Sequence, residues 1–89
     1  MAGVTWTPEM NDELLAWIAD GKATAWRKAV RLTLVKAAEE VSVAWTTVAL
    51  WEKGRQRPTG NNAQRYHARL KAWRRQAEQA GASRAPGQP

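Results

Sequence analysis

Apolar residues recur three and four positions apart along most of the chain, and no stretch alternates apolar and polar residues long enough to make a strand. Thr7 before Pro8 predicts an N-cap with proline at the first helical position, and Gly21 predicts the stop, giving a helix over about residues 8 to 20. Met10, Leu14, Trp17 and Ile18 form its apolar stripe. A short helix is expected from about Ala23 to Val30, with Trp26, Ala29 and Val30 facing inward. Thr33 caps a third segment that runs to Val41, and a tight break at Ser42 and Val43 precedes a fourth from about Trp45 to Glu52, ended by Gly54. The basic loop Gly54-Arg55-Gln56-Arg57-Pro58-Thr59-Gly60 follows, and Asn61 and Gln64 stand at capping-box spacing at the head of a long last helix over 61–80. Seventeen alanines with many Leu, Arg, Glu, Gln and Lys agree with an all-α bundle of about five helices.

The last helix carries Ala63, Tyr66, Leu70, Trp73, Ala77 and Ala80 at spacings of 3, 4, 3, 4 and 3, a narrow seam of the kind that seeks a partner helix. Tyr66 and Leu70 lie near enough to the preceding elements to join the chain's own core. Trp73, Ala77 and Ala80 continue the seam beyond it and are expected to form a homodimer interface around one bulky anchor, the alternative being that Trp73 folds back onto the first helix near Trp17 and Ile18. His67, beside the seam, reads as a surface or rim histidine with no carboxylate placed near it.

At 89 residues the chain is one domain, here residues 1–81, with 82–89 reading as a disordered tail rich in Ser, Arg, Pro, Gly and Gln. The absence of cysteine and the single histidine remove thiolate chemistry and the usual zinc ligands, so neither a metal nor another cofactor is expected. No apolar run approaches membrane-spanning length and no export signal is apparent, which places the protein in the cytoplasm where it is made, with no membrane partner. Charge is unevenly spread. Residues 1–20 hold Glu9, Asp12, Glu13 and Asp20 and no base, net −4, whereas residues 21–89 hold 14 basic and four acidic residues, net +10. Such segregation points to a polyanion, nucleic acid before acidic membrane.

Between Leu34 and Lys53 the inward positions Ala37, Ala38, Val41, Val43, Val48 and Trp51 suit two short helices crossing steeply, with Ala38 small where the second crosses the first. The second helix would then stand proud of the surface, where a major groove could receive it. Leu32-Thr33, Ala37-Ala38-Glu39, Val41-Ser42-Val43, Thr46-Thr47-Val48 and above all Trp51-Glu52-Lys53-Gly54 with Arg57-Pro58 make residues 22 to about 72 resemble the lambda-repressor-like (Cro/repressor, XRE-type) helix-turn-helix family. Two positions depart from that family's pattern: Ser42 in the turn and Arg31 before the first motif helix stand where glycine is usual, and a non-glycine residue in the turn carries a small backbone strain that distorts it. The acidic first helix lies outside the pattern.

The resemblance implies a helix-turn-helix over 34–53 and a sequence-specific double-stranded-DNA-binding transcriptional regulator, a phage or bacterial repressor-like protein that acts by occupying its operator as a homodimer. It places Trp45, Thr46, Thr47, Ala49 and Leu50 at the bases, and Arg27 and Glu52 as a structural ion pair. By chemistry the two threonines can hydrogen-bond a base or phosphate, or cap locally. Ala49 can touch a thymine methyl, and Trp45 can lie along the backbone or pack on Leu34 or on another protein. Lys36, Lys53, Arg55 and Arg57 flank the groove position and are expected to hold phosphates, while Arg65, Arg69, Arg74 and Arg75 either extend that patch or solvate the long helix. A different class of function is a protein-interaction module such as an antirepressor or antitoxin, using Trp45 and the acidic helix, and a regulatory protein partner is compatible with either. An enzyme is not expected: Glu39 and Glu40 are adjacent and cannot face one site from one helix.

Overall fold

The computed structural model describes residues 6–83, and these form five α-helices with no strand among the described residues: α1 (Pro8–Ala19), α2 (Lys22–Ala29), α3 (Leu34–Val41), α4 (Trp45–Glu52) and α5 (Gly60–Ser83). Two of the starts are capped by side chains. Thr7 Oγ1 accepts from the Met10 amide at 3.1 Å with Pro8 opening the helix, and Thr33 Oγ1 accepts from the Lys36 amide at 3.1 Å. α5 begins one residue before the expected start. Its first turn closes from the Ala63 amide to the Thr59 carbonyl at 3.2 Å, which puts Asn61 inside the helix rather than at its cap. The helix also continues through Gly81 to Ser83, past the expected stop. Of the segment expected to be a disordered tail, residues 82 and 83 are therefore helical, and 84–89 lie outside the described residues.

One core joins all five helices. Leu14 and Trp17 enter from α1, Ala23 from α2, Ala37, Ala38 and Val41 from α3, Val48 and Trp51 from α4, and Ala63, Tyr66, Leu70 and Trp73 from α5. The small alanines of α3 let α4 cross closely, so that Val48 and Trp51 reach inward; Val43 from the turn packs on the edge of this cluster. In α2 the inward residues differ from expectation: Ala23 and Arg27 are buried and Trp26 and Val30 half-buried, whereas Ala29 is exposed, because Arg27 must turn toward Glu52 and carries the helix face with it.

The expected dimer anchor is corrected here. Trp73 is only 1% exposed within a single chain, set edge-on to Tyr66 with ring centroids 6.5 Å apart, and its indole Nε1 donates to Glu40 Oε1 at 3.0 Å. Trp73 instead folds back within its own chain, in one core cluster with Trp17, against which Ile18 packs, and its indole N–H docks on the end of α3. Three residues spaced one turn apart on α5 make that junction. Arg65 Nε donates to the Val41 carbonyl at 3.0 Å, Arg69 Nη2 to Glu40 Oε1 at 2.8 Å, and Trp73 to the same oxygen. Beyond it Ala77 is half-buried and Ala80 exposed, so the seam's outer end lacks any large side chain.

The expected rim histidine is also corrected. His67 is 4% exposed, stacked on Trp17 with centroids 5.0 Å apart and 6° between planes, and met edge-on by Trp6 at 5.2 Å. Its Nε2 lies 2.8 Å from Glu13 Oε1, the carboxylate that sequence spacing placed nowhere near it. This slot seats α1 on α5.

Both positions where the resemblance has glycine adopt the left-handed backbone, Arg31 at φ 62° and Ser42 at φ 67°. Left-handed φ costs an L side chain roughly 1–2 kcal/mol, of which the flexibility that glycine adds to the unfolded chain takes back about half. Ser42→Gly is therefore expected to raise stability by roughly 0.5–1 kcal/mol, seen as a higher urea midpoint at unchanged slope. An unchanged or lower midpoint would show that the Ser42 side chain stabilises the turn.

Candidate nucleic-acid interface

The surface that combines exposed apolar, hydroxyl and cationic side chains is built on α4. The turn Ser42–Ala44 fixes its entry: Ser42 closes α3 in the left-handed conformation and the Val43 amide returns to the Ala38 carbonyl at 3.0 Å. Ala44 then begins α4 with no side-chain cap, leaving its first amides turned outward at the positive end of the helix dipole.

At 100° per residue, positions 45, 46, 49 and 50 fall within about 140° of helix arc, opposite the buried Val48 and Trp51. Trp45 is 52% exposed and Leu50 37%, Thr46 is exposed and Ala49 half-buried. Thr47 is half-buried on the flank of this arc, and neither threonine hydroxyl makes a hydrogen bond among the described residues, so neither caps a helix end.

The far end of α4 is locked. Arg27 Nε donates to Glu52 Oε2 at 2.6 Å and Nη2 to Oε1 at 3.1 Å, while Nη1 donates to the Leu32 carbonyl at 2.8 Å. The two side chains are 9% and 10% exposed. All three guanidinium nitrogens are thus used, tying α2, the α2–α3 connection and α4 at one point, with the geometry that makes an Arg–carboxylate pair specific. Tyr66 lies beside this pair. Burial, aided by the Glu52 charge and opposed by Arg27, holds its phenol well above the ordinary tyrosine range, so it stays neutral.

The cations sort by what they touch. Lys53, Arg55 and Arg57 follow α4 directly, are exposed, and have no carboxylate partner among the described residues. Lys36, in the first turn of α3, is exposed and 3.6 Å from Glu39, itself exposed. Arg65 and Arg69 hold α5 to α3 as described, and Arg74 reaches Glu78 at 3.1 Å while lying 5.7 Å from the centre of the Trp26 ring. Arg65 and Arg69 are thus spent on the α3–α5 junction, a role neither expectation for them included, whereas Arg74 and Arg75 are exposed on the surface of the long helix. Of the acidic residues of the first helix, Glu13 is taken by His67 and Asp20 lies 4.0 Å from Lys22, which leaves Glu9 and Asp12 exposed.

Among the described residues no group of three or more His, Asp or Glu side chains is placed to hold a metal ion. No helix among them is long and apolar enough to cross a membrane. The clefts are shallow: one of about 260 Å³ runs between Leu15, Ile18 and Ala19 of α1 and Gly54, Gln56 and Arg57, and seats the basic loop against the first helix. Comparison with family models, with curated proteins and with solved structures gave no match to this chain.

Proposed function

We propose that the protein binds double-stranded DNA and regulates transcription by occupying its site, with α4 laid in the major groove. The observation that carries this reading is the exposed arc of α4 followed directly by three exposed cations with no carboxylate partner among the described residues, Lys53, Arg55 and Arg57, with Lys36, exposed and 3.6 Å from Glu39, on the neighbouring helix. A duplex offers a phosphate rail on either side of a groove wide enough for one helix, and this arrangement supplies one helix with positive charge beside it. The helix-turn-helix resemblance supports the same assignment of α3 and α4. The cytoplasm, where DNA is accessible, is the compartment this reading requires.

The proposal assigns different work to the two sets of side chains. Cations neutralise phosphates and set affinity without regard to sequence, while Trp45, Thr46, Ala49 and Leu50, with Thr47 at the edge, meet the bases. Self-association through the outer end of α5 would have to rest on Ala77 and Ala80 alone, since Trp73 is spent inside the chain.

Four phosphate contacts predict a slope of log K against log salt of about −3.6. Arg57→Ala is expected to shallow that slope by about 1 and to weaken all sequences alike, and Thr46→Ala to change base preference by roughly 1–3 kcal/mol at one position while leaving the slope alone. Fluorescence anisotropy of a labelled duplex across 50–200 mM salt reads both. Affinity independent of salt, or no duplex binding at all, would refute the reading and favour a protein-interaction module.

A further inference from the structure

We infer that α4 selects DNA by its thymine methyl groups, so that the preferred ligand is a duplex whose major groove presents adjacent thymines. This rests on the reading that α4 enters the groove. The inference comes from what the exposed arc lacks. From Trp45 to Glu52 there is no Arg, Lys, Asn or Gln, the side chains that grip guanine or adenine edges with two hydrogen bonds. The one charged residue of the helix, Glu52, could in principle accept from cytosine, but both its oxygens are held by Arg27 inside the protein.

What remains is apolar, with two single hydrogen-bonding groups on the arc and the half-buried Thr47 hydroxyl at its flank. Trp45 offers a broad ring and one N–H, Thr46 a hydroxyl and a methyl, and Ala49 and Leu50 only hydrocarbon. Pressed against a guanine or cytosine edge, this arc would strip water from donors and acceptors and return little. The thymine C5-methyl is the apolar group that a base pair projects into the major groove. Against it the same arc buries hydrocarbon on hydrocarbon, and the Thr46 hydroxyl can serve the neighbouring O4 or N7 acceptor.

The consequence is a dependence on one methyl group that base pairing does not need. Deoxyuridine pairs as thymidine does and keeps O4, so replacing thymine by uracil removes the methyl alone. Burial of one methyl corresponds to about fourfold in affinity, and two contacted methyls to more than tenfold.

The test enriches bound sequences from a random 20-bp duplex pool with the full-length protein at low salt, then remakes the enriched duplexes with deoxyuridine in place of thymidine. The expected outcome is enrichment of adjacent thymines and a loss of about tenfold or more on replacement. Leu50→Ala, an exposed position that the core does not use, is expected to keep the helical circular-dichroism spectrum and to narrow the thymine-to-uracil ratio by about fourfold. Equal affinity for the two duplex forms would overturn the inference, as would enrichment centred on guanine steps. Salt-sensitive binding of the pool with no sequence enriched would overturn it while leaving DNA binding itself in place. Failure of the pool to bind would overturn both.

Discussion

Trp73→Ala should destabilise the fold by roughly 3–5 kcal/mol, the range for truncating a large buried aromatic. The indole is enclosed within one chain, packs against Tyr66, and donates to a Glu40 oxygen that Arg69 shares, so its loss empties a cavity and loosens the α3–α5 junction together. A domain of this size commonly has about 5–10 kcal/mol in all, so the variant should be partly unfolded at room temperature or melt far below the parent chain. Thermal melts at several protein concentrations check this. The expected result is a large drop in Tm that does not vary with concentration. A variant that melted normally but lost self-association in sedimentation would return Trp73 to a subunit interface.

Arg27→Met alone, or Glu52→Leu alone, should cost roughly 3–5 kcal/mol, because each leaves an unpaired charge in a nearly closed site. The double variant should lose much less than the sum, since replacing the pair by hydrocarbon of similar volume strands no charge and leaves only the Leu32 carbonyl without its donor. Urea denaturation of the four proteins gives the coupling directly. Additive losses would mean that the pair does not form in solution. The Arg27 single variant also leaves the Leu32 carbonyl without its donor, so it should be the more damaged of the two.

The helices were legible because their ends are written in local chemistry: Thr7 with Pro8, Thr33, and the Ser42 break act over three or four residues and need no tertiary partner. Arg27 and Glu52 were legible only through the resemblance, since nothing in a separation of 25 residues announces a contact. The seam on α5 was correct as a pattern and wrong as an address. Periodicity states that Trp73 is to be covered, but whether by α3 of the same chain or by another copy depends on where Glu40 and Arg69 come to lie. His67 failed for a related reason. Its slot is made by Trp6 and Trp17 from the far end of the chain, and the carboxylate it meets lies 54 residues away. The proposed base-facing residues were readable as the outward arc of a short helix, whereas the separation of free cations from those spent on the fold required Val41 and Glu40 to be in place.

An amide chemical-shift titration of the isotope-labelled protein with a 20-bp duplex tests, residue by residue, the proposed contact of α4 and the loop after it with DNA. The predicted result is perturbation concentrated from Ala44 through Arg57 and at the first turn of α3, fading as salt is raised, with little change along α1 or in α5 beyond Trp73. Perturbation centred instead on the exposed acidic residues Glu9 and Asp12 of α1, or on the outer turns of α5, with α4 unmoved, would rule out α4 as the DNA-contacting helix.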